Sequence, residues 1–561
     1  MNTIRRFWFY TVTLAALGIF AAGVERLLNL IFKVTIGGYQ TVPLGVTDNN
    51  QTQLSLGLAL TVIGGPLWLF FWRAVQRRVK GNAKETGAVM RKLFLNFIML
   101  VTAFILIVNA AGFLKWLMSG VPAGSFSSGR LAMLIVTGII WFYHYLVSEK
   151  EGQPSSAAQT LRRWYVYILS GYGLAWLTIS LVLLINAAIK ALPVWGSVLV
   201  AGKFWNSNTQ KSTAWIMLGA VMWYWHWFHM ARDDFGSKLR QVYFYLTTIS
   251  GGAITALVAV TILLYYLFDW GFGGGAGMGI RYFQFLGWTV PTVLVGLAIW
   301  GYHQRLAQEE AGQVQEKQQS AQRIYFYVMA FLGLVTAATG VSIIFGLLVA
   351  TGTTATATAD WWRNQMAVAL AMLIIGTPIW LYYWRGILRR VRIGSITEWR
   401  ALSRRIFLYV IIGAAILLLA VDMVNIIYQM LRDLMAGSLG ANFLRGAKWG
   451  METVVVAALL LWYHWRVLRA DQRRGAEAAV ARRDVTLLGD NRAADVAMRL
   501  ENKLGFKIRT LYQIGPTGVG TAVITEDEID GLVNEIQSSA ADKLMVLMLD
   551  GRVRVVPFRD R

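Results

Sequence analysis

Cysteine is absent from all 561 residues. That excludes disulfides, thiolate metal sites, cysteine nucleophiles and covalent c-type haem attachment, and leaves no thiol for a redox switch. Charge is also scarce: Asp, Glu, Lys and Arg make up 15% of the chain while 56% is hydrophobic, and mean hydropathy is +0.49. A chain this apolar falls outside the soluble range and points to a bilayer protein. Acidic residues number 30 against 53 basic ones, for a net charge of +23. The excess is no nucleic-acid signature, because residues 484–561 carry 10 basic and 12 acidic groups and the surplus lies in the apolar part.

What is present is a repeat. A basic, aromatic opening recurs as Arg5-Arg6-Phe7-Trp8-Phe9-Tyr10, Arg162-Arg163-Trp164-Tyr165-Val166-Tyr167, Arg240-Gln241-Val242-Tyr243-Phe244-Tyr245, Arg323-Ile324-Tyr325-Phe326-Tyr327 and Arg404-Arg405-Ile406-Phe407-Leu408-Tyr409, with a degenerate copy at Arg91-Lys92-Leu93-Phe94-Leu95-Asn96. A closing aromatic motif, as in Trp141-Phe142-Tyr143-His144, ends near 71, 144, 226, 303, 383 and 464, at intervals of 73, 82, 77, 80 and 81 residues. Such spacing implies a tandem array.

Twelve apolar stretches are long enough for a hydrocarbon core of about 30 Å: 7–32, 54–75, 93–117, 130–147, 164–189, 213–231, 242–268, 281–302, 324–350, 364–388, 406–431 and 449–468. They are too long and too continuously apolar for barrel strands. The expected fold is an all-α polytopic membrane protein of six two-helix units: 1–86, 87–155, 156–236, 237–317, 318–399 and 400–468. The first stretch reads as a retained helix, not a removed leader. Counted with the adjoining span ends, the N-terminus, the loops between units and the tail to Arg483 hold 31 Lys and Arg, against 11 in the loops within hairpins, so both termini are expected in the cytoplasm. Trp and Tyr beside Arg then form an interfacial belt.

Beyond 468 the composition changes. Residues 469–483 read as a charged linker helix, and 484–561 as a small soluble α+β domain. Strands are expected at Val485–Leu488 and Phe506–Ile514, helices at Asn491–Leu504 and after the Thr525-Glu-Asp-Glu528 capping box, and a terminal hairpin pairing Lys543–Leu549 with Arg552–Pro557 across Asp550-Gly551. The glycine turn 515–520 lacks the Lys-Ser/Thr ending of a phosphate loop and is read as a connector.

Charge in hydrocarbon costs on the order of 2.5–3.5 kcal/mol, which makes polar groups inside the spans the candidate substrate-binding residues. They are Glu25, Arg26 and Asn29 in the first span, Asn186 in the fifth, and Asp422 with Asn425 in the eleventh. Asn29 and Asn186 share a repeat register, each nineteen residues beyond a signature tyrosine. Packing between helices is the plainer role for all six. His144, His226, His303 and His464 occupy one register and are weak candidates for a haem or metal site; shared ancestry of the repeats explains the register without a ligand. Pro66, Pro291 and Pro378 interrupt second helices, as proline does in many membrane helices.

The opening at Arg404–Tyr409, with the apolar helix to Leu431, resembles the start of a bacterial integral-membrane domain family of unknown function, and the Arg323 and Arg5 openings are similar to it. The resemblance covers the array to about residue 468. It implies a bacterial membrane location and assigns no catalytic residue. With no nucleophile and base, no paired acids on a loop and no ATP motif, the expectation is a non-enzymatic scaffold or signalling protein in the bacterial cytoplasmic membrane, without cofactor or nucleic acid. Its partners are then the bilayer and a protein bound through 484–561. The alternative is a transporter of a small solute or ion using Glu25, Arg26 and Asp422; a haem-binding redox protein is a distant third.

Overall fold

The computed structural model describes residues 3–36, 49–80, 83–122, 126–152, 155–192, 194, 204–235, 237–311, 319–351, 360–393, 401–437, 440–480, 484–489, 493–512, 525–539, 541, 543–549 and 552–558. The chain forms two compact units, Met1–Tyr325 and Phe326–Arg561. In the first, α1 (Thr3–Thr35) pairs with α2 (Asn49–Lys80), and a short α3 (Ala83–Thr86) leads to the pair α4 (Val89–Met118) and α5 (Ser128–Glu151). Next, α6 (Ser156–Lys190) pairs with α7 (Ser207–Tyr224), which runs on as a π-helical turn, Trp225–Met230. Helix α8 (Lys238–Val242), a second π-helical turn (Tyr243–Ile249) and α9 (Ser250–Gly271) make one arm, paired with α10 (Leu286–Ala311). The second unit contains most of α11 (Gln319–Thr351), then α12 (Arg363–Ile393), α13 (Leu402–Met435) and α14 (Ala441–Val480).

Among the described residues, eleven helices are long and apolar enough to cross a membrane. Each buries only 17–33% of its most apolar window inside the protein. The remaining apolar surface therefore faces outward, which water would penalise and lipid tails accept. Together these features make the chain a multi-pass membrane protein. The expected span at 213–231 is the exception. It belongs to the helix that starts at Ser207, whose first turns carry Asn208, Thr209, Gln210, Lys211, Ser212 and Thr213 and keep it below the hydropathy of the rest. With up to 40 residues at about 1.5 Å each, the longer helices exceed a core of about 30 Å and carry their polar ends beyond it.

The two helices of a hairpin meet at small residues. A Cβ on Gly173 would lie 2.7 Å from the Trp223 backbone nitrogen, and one on Gly219 would lie 2.7 Å from the Gly173 carbonyl. Gly252 with Gly296, and Gly333 with Gly376, repeat the arrangement in later hairpins. The glycine on the second helix stands seven residues before the closing aromatic in each case, and Gly64, Thr137 and Ala457 hold that position elsewhere. Lipid offers apolar side chains no incentive to leave it, so close backbone approach is what drives these helices together.

The C-terminal module follows the expected order: β1 (Asp484–Gly489), α15 (Ala493–Leu504), β2 (Arg509–Tyr512), α16 (Glu526–Ser538), β3 (Lys543–Leu549) and β4 (Arg552–Pro557). The sheet order is β2-β1-β3-β4, with β1 parallel to β2 and β3 and with β4 antiparallel to β3. The Thr525–Glu528 capping box opens α16 as the sequence predicts. One sheet face and both helices close over Val485, Leu487, Leu500, Ile529, Ile536, Leu544 and Val546. The expected linker 469–483 continues α14 as far as Val480; residues 481–483, the turn 515–520 and the hairpin tip 550–551 lie outside the described residues.

Gly376→Val should destabilise the protein by about 1–3 kcal/mol, because its Cβ would meet the Ala337 backbone nitrogen at 2.5 Å. Gly413→Ala, with nothing within 4 Å of the added Cβ, should be neutral or stabilising by up to about 1 kcal/mol. Thermal unfolding in detergent compares the two.

Candidate functional site

Among the described residues one set of side chains recurs three times, built from the closing end of one hairpin and both ends of the next. In the first copy Trp72 of α2 donates through Nε1 to the Tyr143 hydroxyl at 2.6 Å and stacks on Phe94 at 5.9 Å. His144 packs against the same indole at 5.5 Å. Arg91, fully buried, lies 5.6 Å from the Trp72 ring and donates through Nε to Glu151 at 2.9 Å. The second copy has Trp227 donating to Tyr302 at 3.0 Å, stacked on Tyr243 at 4.9 Å and against His303 at 5.8 Å. Arg240, 4.8 Å from Trp227, forks onto Glu310 at 2.8 and 2.6 Å. The third has Trp384, Tyr463, Phe407 and His464, with Arg404 forked onto Asp471 at 2.6 and 3.1 Å.

Chemistry explains why the parts go together. A guanidinium withdrawn from water needs a carboxylate and hydrogen bonds, and a planar fork meets a carboxylate with two of them. The indole gives the cation a π face and satisfies its own N–H on a tyrosine. Each carboxylate stands seven residues after its histidine, two helical turns on and on the same face. The histidines are held the same way: Nδ1 of His144, His226, His303 and His464 donates to the carbonyl four residues back at 2.7–2.9 Å. Their Nε2 atoms are buried without a hydrogen-bond partner among the described residues. Each ring sits in its own aromatic surround, and no group of three metal-ligating side chains occurs among the described residues.

The first and third hairpins carry more exposed versions of the ion pair. Arg6 meets Glu85 at 2.7 Å, and Arg163 meets Asp234 at 2.7 Å, with arginine side chains 24% and 33% exposed against 0–6% in the three buried copies. Asp234 also accepts from Tyr167 and Ser237, each at 2.7 Å. The hydrogen bond from Arg6 holds the Glu85 carboxyl below the usual carboxylate range.

The candidate residues within the spans take separate places. Glu25 lines an apolar cavity of about 280 Å³ between α1, α4 and α5, with Thr102 and Thr137 among its walls. Arg26 donates to Gln53 at 2.7 Å, and Asn29 accepts from Ser128 at 2.6 Å, tying α1 to α2 and to α5. The Asn186 side-chain oxygen is buried, 2.7 Å from where a Cβ on Gly287 would stand. Asp422 and Asn425 are half-buried on α13, in the second unit, whereas Glu25 lies in the first. Glu452 escaped the sequence analysis. It is buried, 3.9 Å from Lys448, and occupies the space a side chain at Gly346 would need. Its signal was a carboxylate four residues after a lysine near the start of an apolar stretch.

The region around α7 departs from the repeat. Gly173 and Gly333 follow Tyr167 and Tyr327 by six residues, whereas Gly252 follows Tyr245 by seven, and the π-helical turn Tyr243–Ile249 absorbs the extra residue.

Residues 6–124, 163–292 and 323–447 each match one family model, described as Domain of unknown function (DUF5671). Each match begins at the opening signature of an odd-numbered hairpin and covers that hairpin and the first helix of the next, so the matches recur with a period of two hairpins. No curated protein and no solved structure matches the chain.

Because the Glu85 carboxyl is depressed in the folded protein, it contributes stability at neutral pH that fades as pH falls through the carboxylate range. Glu85→Gln should therefore be less stable than the parent at pH 7, with the gap closing by about pH 3. Thermal unfolding of both proteins across that range measures it.

Proposed function

Since the chain belongs to the DUF5671 family, which brings no assigned activity, we propose a function from its own residues: a non-enzymatic scaffold or signalling protein of the bacterial cytoplasmic membrane, both termini cytoplasmic, whose C-terminal module binds a protein partner. The observation that carries this reading is the second face of the sheet. Helices α15 and α16 pack on one face, while alternation along the strands turns Leu488, Leu511, Met545, Leu547 and Val556 to the other, with Arg509 and Arg554 at the margins. Leu511 is 38% and Val556 39% exposed. An apolar face with basic margins suits a partner surface with an apolar centre and acidic edge. In the membrane array, by contrast, the buried signature arginines Arg91, Arg240 and Arg404 are occupied in internal ion pairs, which supports a holding role over catalysis.

A second reading has one observation in its favour. Glu25 is the sole ionisable side chain lining the cavity between α1, α4 and α5, an arrangement suited to a small cationic or hydrogen-bond-donating solute.

The lack of native cysteine makes orientation directly testable. Gln159→Cys, at the signature end, should resist a membrane-impermeant maleimide in intact cells, and Asn208→Cys should react; the reverse pattern would invert the assignment. A photocrosslinker replacing Leu511 should trap a discrete adduct that Leu547→Glu abolishes. Without an adduct, and with a Glu25-dependent uptake of solute into vesicles, the transporter reading would stand in its place.

A further inference from the structure

A polar cavity of about 390 Å³ opens where α5 ends and α6 begins, beside the π-helical turn Trp225–Met230. Its walls include Tyr145, Glu149, Arg162, Arg163, His229 and Asp233. It lies next to the more exposed ion pair of the third hairpin, and its charges are only partly used. Among the hydrogen bonds of the described residues Arg163 spends only its Nε on Asp234, leaving the two Nη groups of the fork. Arg162 and Glu149 are 3.3 Å apart with side chains 36% and 41% exposed, a pair worth little in itself. Asp233 and His229 are exposed, and His229 packs on Trp225 at 4.6 Å.

We propose that this cavity binds the headgroup of a zwitterionic phospholipid carrying a primary ammonium, as in phosphatidylethanolamine. Two arginines with free donors suit a phosphate diester, and guanidinium forks bind phosphate oxygens in pairs. Glu149 and Asp233 suit an ammonium, whose three N–H donors a trimethylated headgroup lacks. A ligand of both signs matches the wall better than an anion, which Glu149 and Asp233 would repel. The location favours a lipid over a dissolved zwitterion. The cavity is at the helix ends, where headgroups lie, and Trp164 next to Arg163, Trp225 packed on His229 and Phe228 next to His229 are 50%, 39% and 42% exposed, offering apolar surface to acyl chains. The departure from the repeat adds to this: π-helical turns frequently accompany functional sites, and here one carries His229 to the cavity.

The test is thermal unfolding of the full-length protein in detergent. It is titrated with short-chain phosphatidylethanolamine, with phosphatidylcholine and phosphatidylglycerol of the same acyl length, and with free phosphoethanolamine. Phosphatidylethanolamine should raise the unfolding temperature saturably, at about a tenth of the concentration the other two lipids need. Asp233→Asn should erase the preference over phosphatidylcholine, and Arg162→Gln should raise the half-saturating concentration of phosphatidylethanolamine about tenfold. Equal responses to the three lipids, or variants that respond as the parent does, would overturn the proposal. So would free phosphoethanolamine acting as well as the lipid, which would make the ligand a soluble zwitterion. Should either variant unfold before titration, native mass spectrometry of the parent decides: retained phosphatidylethanolamine under competition from phosphatidylcholine supports the site, and equal retention refutes it.

Discussion

A guanidinium buried at the edge of a bilayer must bring its own counter-charge, and the array is organised around that requirement. Arg91, Arg240 and Arg404 stand on the first helix of a hairpin, and Glu151, Glu310 and Asp471 on the last turns of the second. Each ion pair therefore closes a hairpin across its open end. The tryptophan beneath comes from the preceding hairpin and donates to a tyrosine of the same closing motif, so one cluster also joins two hairpins. Glycine contacts set the backbone spacing further along the helices, and the polar cluster then fixes which faces meet. A single hairpin supplies only part of each cluster, so the clusters join hairpins two by two, and the family matches recur with the same period.

Much of this was legible beforehand. Hydrophobic runs reveal spans because a bilayer penalises every unsatisfied backbone group, which leaves helices as the available solution for runs of that length. The C-terminal module was readable for a different reason: its capping box and alternating strands are local signals. The clusters were harder. Signature arginines and aromatics look like an interfacial belt when each is considered alone, and only the packing of successive hairpins shows that Arg404 reaches Asp471 while Trp384 reaches Tyr463. A clue did exist in the sequence: an acid seven residues after His144, His303 and His464. The shared register of the histidines made them weak ligand candidates with common ancestry the plainer reading, and in the structure each Nδ1 donates to its own helix. Glu25 and Asp422 drew attention as lone charges, and lone charge says nothing about whether a cavity adjoins, as it does for Glu25.

The departures from the repeat are informative in turn. Where the ion pair is buried the surroundings are filled with aromatic rings, and where it is more exposed, at Arg163 and Asp234, a polar cavity opens with unspent donors and acceptors. The π-helical turn Tyr243–Ile249 of the same region records an inserted residue that the repeat had to absorb. The proposed lipid site thus lies where the repeating architecture is broken, and the buried ion pairs where it is intact.

The buried ion pairs hold each hairpin closed at its signature end. A double-mutant cycle on Arg240 and Glu310 in the detergent-solubilised protein tests it most directly. Arg240→Met and Glu310→Met should each cost about 3–5 kcal/mol, by stranding the partner's charge, and the double substitution should recover most of one of those losses. Losses that simply add would contradict the account.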